Sequence, residues 1–146
     1  MADLKLTYYQ NTIASLHCKV EKGVLNPAKP LLVLSILGTM DKTLTMNNRF
    51  EYTGDCESLF KNNCYKYLCT SPYYYPFYYL ENDGFWHLHW KRGSIPACKS
   101  AKYIRDNVEY ASLDDSLWTL WTNSQTRNIF KQLIIETYLS NYKNTQ

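Results

Sequence analysis

The sequence predicts an α+β fold in which several helices pack around a small antiparallel sheet built on one β-hairpin. Three observations point there. Apolar residues recur at helical spacing near both ends of the chain. Between them, Leu31 to Leu37 is apolar nearly all round, as a central buried helix would be. Then Pro76-Phe77-Tyr78-Tyr79-Leu80 and Phe85-Trp86-His87-Leu88-His89-Trp90, both rich in β-favouring aromatics, flank Asn82-Asp83-Gly84, whose residues tolerate positive φ and read as a hairpin turn. Pro76 cannot donate to a ladder, so it is expected at the strand start, leaving a rigid ring at the mouth of the hairpin.

In chain order, residues 3–18 form the first predicted helix, with Leu6, Tyr9, Ile13 and Leu16 as its apolar face. Lys19 to Ala28 reads as a loop punctuated by Gly23 and Asn26-Pro27. Lys29-Pro30 opens the second helix, which runs to about Lys42, with Pro30 in the first turn where its missing N–H costs nothing. That helix start, with Lys29 beside it, is a candidate phosphate site. Arg49 to Thr53 alternates like a short strand. Asp55 is placed to N-cap a helix over roughly 56–69, with Leu59, Tyr65, Leu68 and the neighbouring cysteines facing the core. After the hairpin, Lys91 to Ser100 is a basic loop, and Ala101–Asn107 a short helix exposing Lys102 and Arg105. Ser112 or Asp114 starts a helix through Leu117, Leu120 and Trp121. Asn123 to Thr126 caps the last one, whose stripe is Phe130, Leu133, Ile134 and Tyr138. The polar tail Lys143–Gln146 is expected to fray.

A chain of 146 residues is one domain of ordinary size, able to bury roughly 68–70% of its unfolded surface. Composition is that of a globular protein except for its 14 Tyr and 4 Trp, residues that suit half-buried surfaces and nucleic-acid contacts. The net charge of +3 is uneven: residues 1–50 carry six basic against three acidic side chains, a weak pointer to a polyanionic partner. Five cysteines without a Cys-x-x-Cys pair argue against structural zinc and a disulfide framework, and for reduced thiols in the cytoplasm. No signal peptide or membrane-spanning run is read.

Enzyme signatures are absent: no glycine-rich phosphate loop, no Gly-x-Ser-x-Gly, no His-Glu-x-x-His. His87 and His89 share a strand face, a weak basis for a metal site. What remains is a surface in which Lys22, Lys29, Lys91, Arg92, Lys99, Lys102 and Arg105 are interleaved with Tyr74, Tyr75 and Pro76, the composition of a phosphate-backbone reader.

Four ordered motifs carry a resemblance: Asn26-Pro27-Ala28-Lys29-Pro30-Leu31-Leu32-Val33-Leu34; Asn48-Arg49; Tyr75-Pro76-Phe77 with Leu80 and Asp83-Gly84-Phe85-Trp86-His87-Leu88; and Tyr110 to Leu117. Across about residues 20–140 the chain resembles the sulfur-binding domain of modification-dependent type IV HNH restriction endonucleases, which reads phosphorothioated DNA. The resemblance implies a non-catalytic module for double-stranded DNA carrying a phosphorothioate. No cofactor, metal, small-molecule substrate or membrane is expected. Tyr75 and Pro76 match a Tyr-Pro step that forms an apolar dent for the sulfur. Ala28 and Lys29 match DNA-contacting positions, although Ala28 stands where many relatives carry His. Arg92, Lys102 and Arg105 are alternatives for the basic partner of the sulfur, and Lys22 and Tyr74 complete the DNA-binding set. The Cys/His-rich signature of the HNH domain is missing, so the chain is expected to be a reader without its nuclease, free-standing or cut from one. Two other readings stand beside it: a domain of the same fold for other modified or unmodified DNA, and a small enzyme or protein-interaction domain.

Overall fold

The computed structural model describes residues 2–43 and 47–140. The expected fraying at 143–146 lies outside these residues. The fold is α+β, with seven α-helices and two small antiparallel two-stranded sheets among the described residues. In chain order they are α1 (Ala2–Ala14), β1 (Val20–Glu21), β2 (Val24–Leu25), α2 (Ala28–Lys42), α3 (Asp55–Lys66), α4 (Tyr74–Tyr79), β3 (Trp86–Trp90), α5 (Ala101–Asn107), β4 (Val108–Leu113), α6 (Asp115–Trp121) and α7 (Ser124–Ile134). A 3-10 turn, Leu80–Asp83, follows α4, and a π-helical turn, Ile135–Leu139, follows α7.

Helix α2 is the core element, with Leu31, Leu32, Val33, Ile36 and Leu37 fully buried. It packs on α3, α4 and α7. Gly38 lets α3 approach, since a Cβ there would stand 3.2 Å from Leu59 Cδ1. The apolar face of α1 is as expected, with Tyr9, Ile13 and Leu16 buried, although the helix stops at Ala14. Asn123 caps α7 by accepting from the Gln125 and Thr126 amides, and Phe130, Ile134 and Tyr138 are buried.

The central expectation fails: 76–80 and 85–90 do not form a hairpin. Residues 74–79 are helical and continue into the 3-10 turn, and Gly84, at φ 94°, is its left-handed C-terminal residue. The reason is a helical stripe. Tyr73, Pro76, Phe77 and Leu80, at spacing i, i+3, i+4 and i+7, are all buried, and Pro76 occupies the first turn, where its missing N–H breaks no bond. Strand β3 pairs instead with β4, distant in sequence, in the register Trp86↔Leu113, His87↔Ser112, Leu88↔Ala111 and His89↔Tyr110, with an irregularity after His89.

Other differences are local. The 19–28 loop contains a tight hairpin, β1–β2, turned by Lys22 (φ 53°) and Gly23 (φ 77°). Arg49 to Thr53 supplies one bridge, Phe50↔Ala111, not a strand. In α3 the buried positions are Cys56, Phe60 and Cys64, while Tyr65 and Leu68 are exposed and Leu59 is half-buried. Asp55 is the first residue of α3 and makes no cap bond. Ser112 lies in β4, so α6 starts after Asp114.

Candidate nucleic-acid interface

Helix α4 organises the site because its two faces differ. One carries the buried stripe. The other presents Tyr74, Tyr75, Tyr78 and Tyr79, all half-buried. Along that face a cleft of about 270 Å³ opens. Tyr75, Tyr79 and Asn82 form one wall, the start of α2 with Ala28 and Lys29 another, and His17 to Lys19 with Asn26 the third. Three of the residues singled out in the sequence, Ala28, Lys29 and Tyr75, therefore meet at one place.

The electrostatics of the cleft are not those of a free cation. Lys29 is only 7% exposed, and its Nζ donates to Asp83 Oδ2 at 2.8 Å. Asp83 Oδ1 accepts from the His17 amide at 2.8 Å and lies 3.0 Å from His17 Nδ1. The aspartate expected in a hairpin turn thus locks the start of α2 to the segment after α1. Asn26 Oδ1 accepts from the Ala28 amide at 2.9 Å, and Pro30 has no N–H, so fewer first-turn amides remain for a phosphate than the helix start suggested. Lys19, on the rim, lies 3.4 Å from Glu21. Burial pushes the Cys18 thiol up to about 11.

Pro76 is buried on the stripe side of α4, so its ring is not at an open mouth. The reachable apolar groups are the rings of Tyr75 and Tyr79, whose centroids lie 4.7 Å apart.

From the cleft, half-buried aromatics continue as a ribbon. Tyr79 meets Tyr78 at 4.9 Å, Tyr78 meets Trp90 at 6.2 Å, and Trp90 meets Tyr103 at 6.4 Å. Lys99 Nζ sits 4.8 Å over the Tyr103 ring. The far end of the ribbon is cationic. Lys102 donates to Asp106 at 2.6 Å, and that hydrogen bond, followed by the charges of Arg105 and Lys91, holds the Asp106 carboxyl below its usual range. Three cations around one carboxylate leave an excess of positive charge. Arg105 and Tyr74 also share the surroundings of the Tyr52 hydroxyl. Arg92 is exposed beside Gly93 in the loop after β3, and Lys22 projects from the β1–β2 turn; neither lines the cleft.

Sequence reasoning missed Tyr78, Tyr79, Trp90 and Tyr103. The 73/76/77/80 spacing would have turned 78 and 79 outward, but nothing local signals that Trp90 and Tyr103 join them.

The outer face of the β3–β4 sheet is polar and satisfied. His87 Nε2 lies 2.5 Å from Asp114 Oδ1, and Tyr9 donates to Asp114 Oδ2 at 2.7 Å. His89 stacks on Tyr110 at 4.2 Å, with the Arg49 guanidinium 4.0 Å over the same ring, and His89 Nε2 lies 2.8 Å from Ser112 Oγ. Among the described residues no group of three His, Cys, Asp or Glu is disposed to hold a metal ion, and no helix is long and apolar enough to cross a membrane.

No protein-family model matches the chain, and no curated protein matches it.

Proposed function

We propose that this chain is a non-catalytic DNA-binding module that reads a phosphorothioate in the backbone of double-stranded DNA. One observation carries the reading: the aromatic ribbon runs unbroken from the Tyr75–Tyr79 cleft to the Lys91, Lys102 and Arg105 cluster. Half-exposed rings ending in excess cations suit a ligand that is both flat-faced and polyanionic. The free thiols fit the reducing compartment in which DNA resides.

Selection for sulfur rests on the cleft. Sulfur is larger and more polarisable than oxygen and a poorer hydrogen-bond acceptor. The rings of Tyr75 and Tyr79 offer apolar contact beside the buried Ala28 and Lys29. With Lys29 already bound to Asp83, a phosphate oxygen entering there would shed water without gaining a strong donor, at a cost of about 1–3 kcal/mol. Discrimination is then a penalty on the wrong ligand. Affinity comes from the cation cluster. Tyr75 and Tyr79, not Pro76, are the wall a ligand meets.

The test is a mobility-shift titration with two duplexes identical except for one phosphorothioate. The modified duplex is expected to bind about tenfold more tightly, the equivalent of 1.4 kcal/mol. Tyr75→Ala should erase most of that preference, whereas Arg105→Ala should weaken both duplexes alike. Equal affinity for the two duplexes in the parent protein refutes sulfur recognition.

A further inference from the structure

Helix α3 ends in a Schellman closure. The Cys69 amide donates to the Cys64 carbonyl at 2.9 Å, Tyr67 bonds back to Asn63, and Leu68 between them takes the left-handed conformation at φ 59°. Such a closure brings the side chains five positions apart, first and last of the six-residue motif, into contact, and in most helices that contact is between two apolar groups. Here both are thiols. The two thiols lie within electrostatic reach of each other, and the Ser71 amide and side chain lie close to the Cys69 sulfur. Cys64 is buried, whereas Cys69 is half-exposed on a second cleft of about 180 Å³ beside Ser71 and Leu68.

We propose that Cys64 and Cys69 form a peroxide-sensitive pair that closes to an intramolecular disulfide, with Cys69 as the attacking sulfur and Cys64 as the resolving one. Cys69 is the more accessible of the two, and the neighbouring Cys64 thiol, followed by Ser71, lowers its thiol from the ordinary range, which raises its thiolate fraction. The proximity of Cys69, and then burial, raise the Cys64 thiol. The thiolate attacks one oxygen of hydrogen peroxide, the O–O bond breaks, hydroxide leaves, and Cys69 becomes a sulfenic acid. The Cys64 sulfur then displaces that oxygen: the S–S bond forms, the S–O bond breaks, and the Cys64 proton leaves with the departing oxygen as water. Two thiols lose two electrons in all, and one peroxide becomes two waters. The remaining thiols lack this arrangement. Burial raises those of Cys18, Cys56 and Cys98.

The pair is linked to the Tyr75–Tyr79 cleft through Ser71, whose Oγ accepts from Asn26 Nδ2 at 3.0 Å, and Asn26 lines that cleft. The chemistry itself does not depend on what the cleft binds.

The experiment is peroxide titration of the intact, folded protein, with thiol counting and peptide mapping. The free thiols are expected to fall from five to three with no disulfide between chains, and one linked peptide joining 64 to 69. Cys69 should be consumed at least ~10-fold faster than Cys18, Cys56 or Cys98. In Cys64→Ser, Cys69 should instead be trapped as sulfenic acid by a dione probe. Loss of all five thiols at similar rates, or oxidation of Cys69 to sulfinic acid in the parent protein without a disulfide, overturns the pair. Both readings come from the parent protein, so they stand even if the serine variant does not fold.

Discussion

Asp83 shows how much one side chain can decide. Its carboxylate is 2% exposed and joins Lys29 and the His17 amide. Asp83→Ala would leave a buried ammonium without its partner and should cost about 3–5 kcal/mol in urea denaturation. Adding Lys29→Met should restore much of that loss, since the stranded charge goes with it. Leu68 points the other way. It holds φ 59° with 71% of its surface exposed, so Leu68→Gly should stabilise the fold by about 1 kcal/mol, seen as a higher denaturant midpoint. Asp41 sets an acid limit. Burial pushes its carboxyl up, but hydrogen bonds from Lys131 and Arg127 outweigh that and hold it below its ordinary value of 3.8. A depressed carboxyl contributes stability above its unfolded pKa and loses it as pH falls through the folded one. Asp41→Asn should therefore flatten the acid limb of the stability profile below about pH 4, measured by thermal melts across that range.

Among the elements, α4 and α7 make a useful contrast. The cap and stripe of α7 agree with each other, and helix and boundaries follow from them. Asn123→Ala should cost about 1 kcal/mol, because two amides lose their acceptor. In α4 the signals conflict. Tyr and Phe favour strands, and Asn-Asp-Gly favours a hairpin turn, yet the spacing of Tyr73, Pro76, Phe77 and Leu80 is helical. Burial of that stripe against α2 outweighs the intrinsic preference, and Gly84 serves as a helix terminator. Pro76→Ala, placed under the helix and away from the ligand, should act on stability more than on sulfur preference.

For the whole molecule, the net charge of +3 does not say where the field lies, because Lys29 is committed to Asp83, and Arg127 and Lys131 to Asp41. Lys91, Lys102 and Arg105 gather around Asp106 at the far end of the ribbon, with Lys102 paired to it. Each of Lys91→Ala and Arg105→Ala should reduce the slope of log affinity against log salt by about 1, whereas Lys22→Ala, far from that cluster, should leave it nearly unchanged. Salt titrations of the mobility shift measure this directly.

The α+β class, the central α2, the apolar faces of α1 and α7, and the pairing of Ala28-Lys29 with Tyr75 as parts of one surface were all legible in residue order. Each depends on periodicity, on capping, or on motifs read as strings. The pairing of β3 with β4, the helical state of 74–79, the burial of Pro76 and the capture of Lys29 by Asp83 were decided in three dimensions. All four depend on which distant segment covers a given face. Local preference is worth only tenths of a kcal/mol per residue, while burying one large side chain is worth about 1.5–3, so tertiary packing prevails wherever the two disagree.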